Sequence, residues 1–316
     1  MDVSFSECDH LLVDSSLLVR ALGLGDEGAV DAFFKRNPES TLFLRSKVRN
    51  AGLCHDGSLD SGDYVAAMDS GIIAVAAHYP TGNIVLAAPH HLERLLQVLV
   101  DVPNRVVEGL AGPWAQVERA RIYLGMADSP VQLLQREALL AVELDQLNVP
   151  SCLTEGSVCC RLPEDGELDL LTQMRTFFLM ETFNTTAQIE LQQACRKEVE
   201  HHVSNGTAKV LINRAGSLVA CAFLGSVFPD IVEISGVYTL PELRGRGYGR
   251  AIVAGTLREA CERGVQKAIL TVDRWNVPAR KVYRSIGFQR VGDYGLIRLY
   301  PFSQPRGPKP ALRRRL

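Results

Sequence analysis

The chain has 316 residues, of which 47% are hydrophobic and 22% charged, with a formal net charge of -2. At roughly 100–200 residues per domain this is enough apolar material for two globular cores. The balanced charge gives no bulk reason to expect nucleic acid as a partner, and the absence of any apolar run of about 18 residues predicts no membrane partner. Eight cysteines are present, none in a C-x-x-C pair or followed by histidines at finger spacing, so no metal is expected. Residues 1–10 carry neither a basic segment nor a long apolar run. That predicts no secretory leader, reduced thiols and a cytoplasmic location.

In chain order, 17–23 reads as a strand and 26–36 as an amphipathic helix stopped by Asn37-Pro38. The run 37–46 reads as a helix break and a second packed helix, which spans 41–51. Three β-prone runs follow at 64–69, 72–78 and 83–88, separated by Ser70-Gly71 and Pro80-Thr81-Gly82. A helix at 91–100, a strand at 105–110, a helix at 114–124 and a strand at 138–147 complete this half. The pattern then restarts. Strands are predicted at 158–162, 209–213, 218–224, 231–238, 268–272 and 296–300, and helices at 168–183, 187–203, 249–263 and 279–286. The expected domains are 1–150 and 151–302, with 303–316 a basic, disordered tail. Residues 71–77 align with 216–222, and the helix ending Leu124-Gly125-Met126 aligns with the one ending Ile286-Gly287-Phe288. Two matches in the same order point to an internal duplication.

The chemistry is concentrated at 237–250, Val-Tyr-Thr-Leu-Pro-Glu-Leu-Arg-Gly-Arg-Gly-Tyr-Gly-Arg. A strand enters a glycine-rich turn that opens an amphipathic helix. Glycines let backbone approach a ligand closely, and the amides and dipole at the helix start favour negative charge. The pattern therefore predicts a phosphate or pyrophosphate cradle. Its spacing is neither that of a nucleotide-triphosphate loop nor that of a dinucleotide fingerprint.

Arg244-x-x-Gly247-x-Gly249 resembles the [RQ]-x-x-G-x-[GA] motif of the GNAT N-acetyltransferase superfamily. Asn276-x-x-Ala279-x-x-x-Tyr283-x-x-x-Gly287-Phe288 resembles that family's second motif, in the family's order. The resemblance covers about 156–300. The first half is similar in order of elements, as in two-domain bacterial members with a degenerate amino-terminal domain. It implies an α/β (α+β) fold of tandem GNAT-like domains, each a mixed, mostly antiparallel twisted sheet flanked by helices.

The same resemblance implies acetyl-CoA as cosubstrate. Its pyrophosphate would be bound by the amides of Gly245, Arg246, Gly247, Tyr248, Gly249 and Arg250. The backbone of Val237, Tyr238 and Thr239 would pair with the pantetheine arm, Arg244 would fix the loop, and Asn276 would lie near the coenzyme. Tyr283 corresponds to the general acid for the departing thiolate. Glu233, eleven residues before Arg244, corresponds to a general base, with Asp230 and His202 as weaker candidates. Acceptor selection would come from about 168–206. The implied activity is direct acetyl transfer to an amine, either a small molecule or a protein amino group. An acetyl-CoA sensor without turnover is the alternative. The first half has Ala87-Ala-Pro-His-His-Leu-Glu93 where the second has its glycine turn. It lacks glycine there, and Pro89 removes an amide donor.

Overall fold

The computed structural model describes residues 17–54, 57–101, 105–183, 186 and 188–300. The tail expected at 303–316 lies outside the described residues. Two compact units emerge, one holding 17–24, 53–135 and 295–300, the other 25–52 and 136–294.

The first unit opens with β1 (Leu18–Ala21). The chain then passes through α1 (Glu27–Arg36) and α2 (Pro38–Ala51), which belong to the second unit. It returns in the antiparallel meander β2 (Asp63–Asp69), β3 (Gly71–His78) and β4 (Asn83–Ala87). After α3 (Leu92–Val100), β5 (Gly109–Pro113) lies parallel to β4, and α4 (Trp114–Tyr123) follows. The sheet order is β1-β2-β3-β4-β5, completed by residues 295–299 of the last strand. Leu92, Leu95, Leu96 and Leu99 recur at helical spacing on α3 and pack on Val65, Ala67, Ala74, Ala76, Ile84 and Leu86 of the sheet.

The strand expected at 105–110 is displaced to Gly109–Pro113. Glu108 and Gly109 both donate their amides to Gly82 O, and the parallel ladder to β4 opens only at Asn83↔Gly109. Gly112 then sits against β4, where a Cβ would lie 2.6 Å from Leu86 O. Close backbone approach, which β-propensity does not register, selects this segment.

The second unit begins structurally with β6 (Val131–Glu143), of which residues 136–143 belong to it, and a 3-10 turn at Leu144–Gln146. α5 (Ser151–Thr154) and β7 (Val158–Arg161) lead to the helices α6 (Leu168–Phe183) and α7 (Ile189–Ser204). The meander β8 (Ala208–Asn213), β9 (Leu218–Val227) and β10 (Ile231–Thr239) comes next. α8 (Tyr248–Glu262), β11 (Lys267–Asp273), α9 (Val277–Ser285) and β12 (Gln289–Leu299) follow. The sheet order is β12-β6-β11-β10-β9-β8-β7. The meander, helix, parallel strand and helix repeat the order of the first unit, as the internal alignment predicts.

One sheet face carries α8 and α9. Ile252, Val253, Leu257 and Ala260 of α8 pack with Val232, Ile234, Ala268, Leu270, Val272, Tyr283 and Ile286. Gly255 brings α8 down on β7, since a Cβ there would lie 2.5 Å from that of Cys160. The other face is shared. α6 and α7 cover Val210, Cys221, Phe223 and Tyr238. Leu42 of α2 packs with Leu139, Ala141, Phe228, Ile231 and Ile269. Helix α2 starts at Pro38, earlier than expected, because proline at the first helical turn forfeits no intrahelical bond.

His78 in the first unit is fully buried. Burial, with the nearby Arg105 cation, depresses its pKa to about 4. The unfolded chain, with an ordinary imidazole, therefore binds the extra proton first. The first unit should hold its stability above about pH 6.5 and lose up to about 3 kcal/mol as the pH falls toward 4. Urea unfolding at several pH values tests this, and His78→Gln should flatten the acid limb.

Candidate active site

Strands β10 and β11 pair in parallel only over Ile231–Glu233 and Lys267–Ile269. Beyond that point β11 stays with β6 as far as Asp273↔Glu137, and β10 stays with β9 as far as Thr239↔Ala220. The two strands part, leaving β10 without a neighbour on its β11 side. A bulge lies in the unpaired stretch, where Ser235↔Phe223 is followed by Tyr238↔Cys221. Gly236 and Val237 thus have no ladder partner in either register.

The bulge also resets the alternation of side chains. Ile234 points into the α8 core, Val237 packs against that same core, and Tyr238 enters the α6–α7 core. Gly236 permits it, at φ +55°. A Cβ at Gly236 would lie 2.6 Å from the Phe223 ring and 3.0 Å from Nη1 of Arg175. Arg175 is held there by Glu198, at 2.7 and 3.0 Å.

After Thr239 the chain makes a short 3-10 turn, Pro241–Leu243, and reaches the glycine turn. Gly245 and Gly247 have φ +79° and +83°, with open space where a Cβ would stand. Gly247 is the N-cap of α8, and the first bond into the helix runs from Ala251 N–H to Gly247 O. The amides of Tyr248, Gly249 and Arg250 precede the first intrahelical donors. Arg244, Gly245, Arg246, Gly247 and Arg250 are all exposed, so this positive helix end faces solvent. Arg244 donates through Nε to Thr239 O at 3.1 Å and lies over the Tyr238 ring. Its Nη2 bonds both carboxylate oxygens of Glu181 at 2.9 Å.

Glu233 occupies the α2 and α6 face of β10, the last residue before the strands separate. Ser226 Oγ donates to its Oε2 at 3.3 Å. Burial raises its pKa above the ordinary carboxylate value; the Ser226 bond opposes this and the charge of Glu137 adds to it. Tyr283 lies on α9, on the opposite face, with its ring against Phe288. It is 8% exposed, and burial raises its pKa to about 12. Asn276 caps α9, its Oδ1 accepting from Ala279 N at 3.1 Å.

Two of the sequence candidates have other engagements. Asp230 accepts from Arg45 Nη1 at 2.9 and 2.8 Å, and Arg45 is a buried residue of α2. His202 bonds Thr207 Oγ1 at 2.8 Å and packs on Phe223. Sequence reasoning did not single out Glu181, Ser226 or Gly236. The last had a signal, a glycine inside a predicted strand. The other two are ordinary polar residues whose partners lie 57 and 7 positions away.

The corresponding place in the first unit is closed. Ala88 N donates to Gln116 Oε1 at 2.7 Å, so a side chain of α4 takes the amide at the end of β4. The helix there starts after His91, at φ +55°, with no glycine turn.

Residues 168–288 match the model of the Acetyltransferase (GNAT) family. They form a domain of the GNAT acetyltransferase family. Mycothiol acetyltransferase of Saccharomonospora viridis is 41% identical over 51 residues, which cover 16% of this chain and 17% of that protein. The mycothiol acetyltransferase of Kocuria rhizophila is 36% identical over 62 residues, 20% of each chain. The chain thus matches about a fifth of the length of these curated relatives.

Solved structures share the fold over more of the chain. A Drosophila protein superposes with a TM-score of 0.61 at 12% identity, covering 90% of this chain and 98% of its own. A GCN5-related N-acetyltransferase from Sphaerobacter thermophilus gives 0.52 at 14% identity, covering 90% and 95%.

Gly236→Ala should disrupt the site, because the added methyl meets the Phe223 ring in a backbone conformation that L-residues avoid. The expected outcome is a melting temperature lower by several degrees, read by thermal unfolding.

Proposed function

We propose that this protein is an acetyltransferase that moves the acetyl group of acetyl-CoA directly to an amine. The observation that carries the reading is the gap between β10 and β11, with Glu233 on one face of the sheet beside it and Tyr283 on the other. The glycine turn fits a pyrophosphate, since it combines two left-handed glycines, open space above them, free helix-start amides and exposed arginines.

Bound acetyl-CoA supplies the activated acetyl thioester. Gly245 through Arg250 hold its pyrophosphate, Asn276 lies beside it, and the free edge of Val237, Tyr238 and Thr239 pairs with its amide-bearing arm. Binding both reactants across one slit supplies proximity. The unpaired amide at Val237 offers a donor to the carbonyl oxygen as charge develops there. Glu233, with its pKa raised by burial, takes the proton of the ammonium acceptor. Tyr283, with its pKa near 12, is fully protonated at neutral pH and returns a proton to the leaving thiolate. The first unit serves no coenzyme, because Gln116 holds the amide at the end of its β4 strand. One acetyl-CoA per chain follows.

Calorimetry with acetyl-CoA should give one site per chain, abolished by Gly247→Val; absence of binding by the wild type at millimolar ligand would end this reading, and two sites would end the account of the first unit. In an amine screen, Tyr283→Phe should lower kcat by about 100-fold or more while leaving acetyl-CoA affinity within about twofold. The rate should rise with pH through a pKa above the usual carboxylate value. Glu233→Gln should remove that limb, and a profile unchanged in this variant would assign the base elsewhere.

A further inference from the structure

Near its end, helix α6 carries a carboxylate, Glu181, that lies outside both family motifs. Glu181 accepts from the Tyr238 hydroxyl at 2.7 Å and from Arg244 Nη2 at 2.9 Å on each oxygen. Arg244 in turn closes the loop onto Thr239 O at 3.1 Å and spreads over the Tyr238 ring at 5.2 Å. Three segments thus meet at one carboxylate: the end of β10, the glycine turn and the last turn of α6. Burial alone would raise the Glu181 pKa, but the bonds from Arg244 and Tyr238 outweigh it and hold the pKa below its ordinary value, so the group is anionic at neutral pH.

The geometry matters because Gly245 and Gly247 have no side chains to brace the turn, and nothing lies within 4 Å of where their Cβ atoms would be. Such a turn loses much conformational freedom when it binds, which weakens affinity unless it is held beforehand. Arg244 is the residue that enters the turn, and Glu181 is its ion-pair partner. Tyr238 stands at the far side of the Gly236 bulge, so the same carboxylate also fixes the bulged end of β10.

We propose that Glu181 is a positioning residue for the coenzyme, holding Arg244 and Tyr238 so that the glycine turn and the free edge of β10 are preset to receive it. The inference rests on the acetyl-CoA reading of this site. Glu181 touches neither coenzyme nor acceptor. It acts through Arg244, and it links the turn to the helix pair on the opposite face of the sheet from α8.

The test is a double-mutant cycle on acetyl-CoA affinity, with wild type, Glu181→Ala, Arg244→Ala and the double variant titrated in a calorimeter. Glu181 is half exposed and outside the apolar clusters, so the thermal midpoint of Glu181→Ala should stay at the wild-type value. Its acetyl-CoA affinity should fall about tenfold, as expected for losing the charge-assisted bonds that hold Arg244 and Tyr238. In the Arg244→Ala background the same change should cost no more than about twofold, because the Arg244 arm is already gone and only the Tyr238 bond remains to be lost. Equal losses in both backgrounds, or normal affinity in Glu181→Ala while the wild type binds, would overturn this inference alone. Absence of binding by the wild type would overturn the acetyl-CoA reading and this inference with it.

Discussion

The site depends on a parallel strand pair that stops early. β10 and β11 hydrogen-bond as far as Glu233 and Ile269 and then follow different neighbours. Backbone amides and carbonyls are obligatory hydrogen-bonding groups, so a strand left with one bare edge inside a sheet is an acceptor for an extended ligand. The parting is sustained from both sides. The long β6 ladder, paired from Lys267↔Glu143 to Asp273↔Glu137, holds β11. β9 holds β10, and its ladder accommodates the extra residue at the Gly236 bulge.

That bulge turns one backbone feature into a two-faced site. It sends Tyr238 to the α6 side and returns Val237 to the α8 side, where the glycine turn and Tyr283 lie. Glu233 stays on the other face with Ser226. The opening between the strands is therefore bordered by Glu233 on one face and Tyr283 on the other. The two helical layers on the Glu233 side are unrelated in sequence position. α6 and α7 come from within the domain, whereas α2 comes from the first 52 residues and is tied down by Arg45 to Asp230 and by Leu42.

The first unit shows what the same order of elements does without these departures. β4 and β5 pair in parallel from Asn83↔Gly109 to Val85↔Ala111, and Gly112 keeps the backbones close at Leu86. Gln116 takes the amide that follows β4. A fold of the same order thus has a bare strand edge in one copy and a satisfied, packed interior in the other.

Much of this was legible from residue order. Helical spacing at 252, 253, 257 and 260, the alternation in the strands and the two glycine-bearing motifs located most of the second unit's elements to within a few residues, whereas the strands expected at 138–147 and 296–300 begin seven residues earlier, at Val131 and Gln289, and the short helix Ser151–Thr154 was not expected. The glycine turn was readable because φ near +80° at Gly245 and at Gly247, directly before the helix start at Tyr248, favours glycine. Local conformational chemistry is written in local sequence. What was not readable depends on distance along the chain. That 25–52 packs with the second unit, that Asp230 belongs to Arg45, that Glu181 holds Arg244, and that the long β6 strand begins at Val131 are all decided by which surfaces meet. A carboxylate on a helix carries no mark of its partner 63 residues away, because pairing is settled by burial and geometry after the chain has folded.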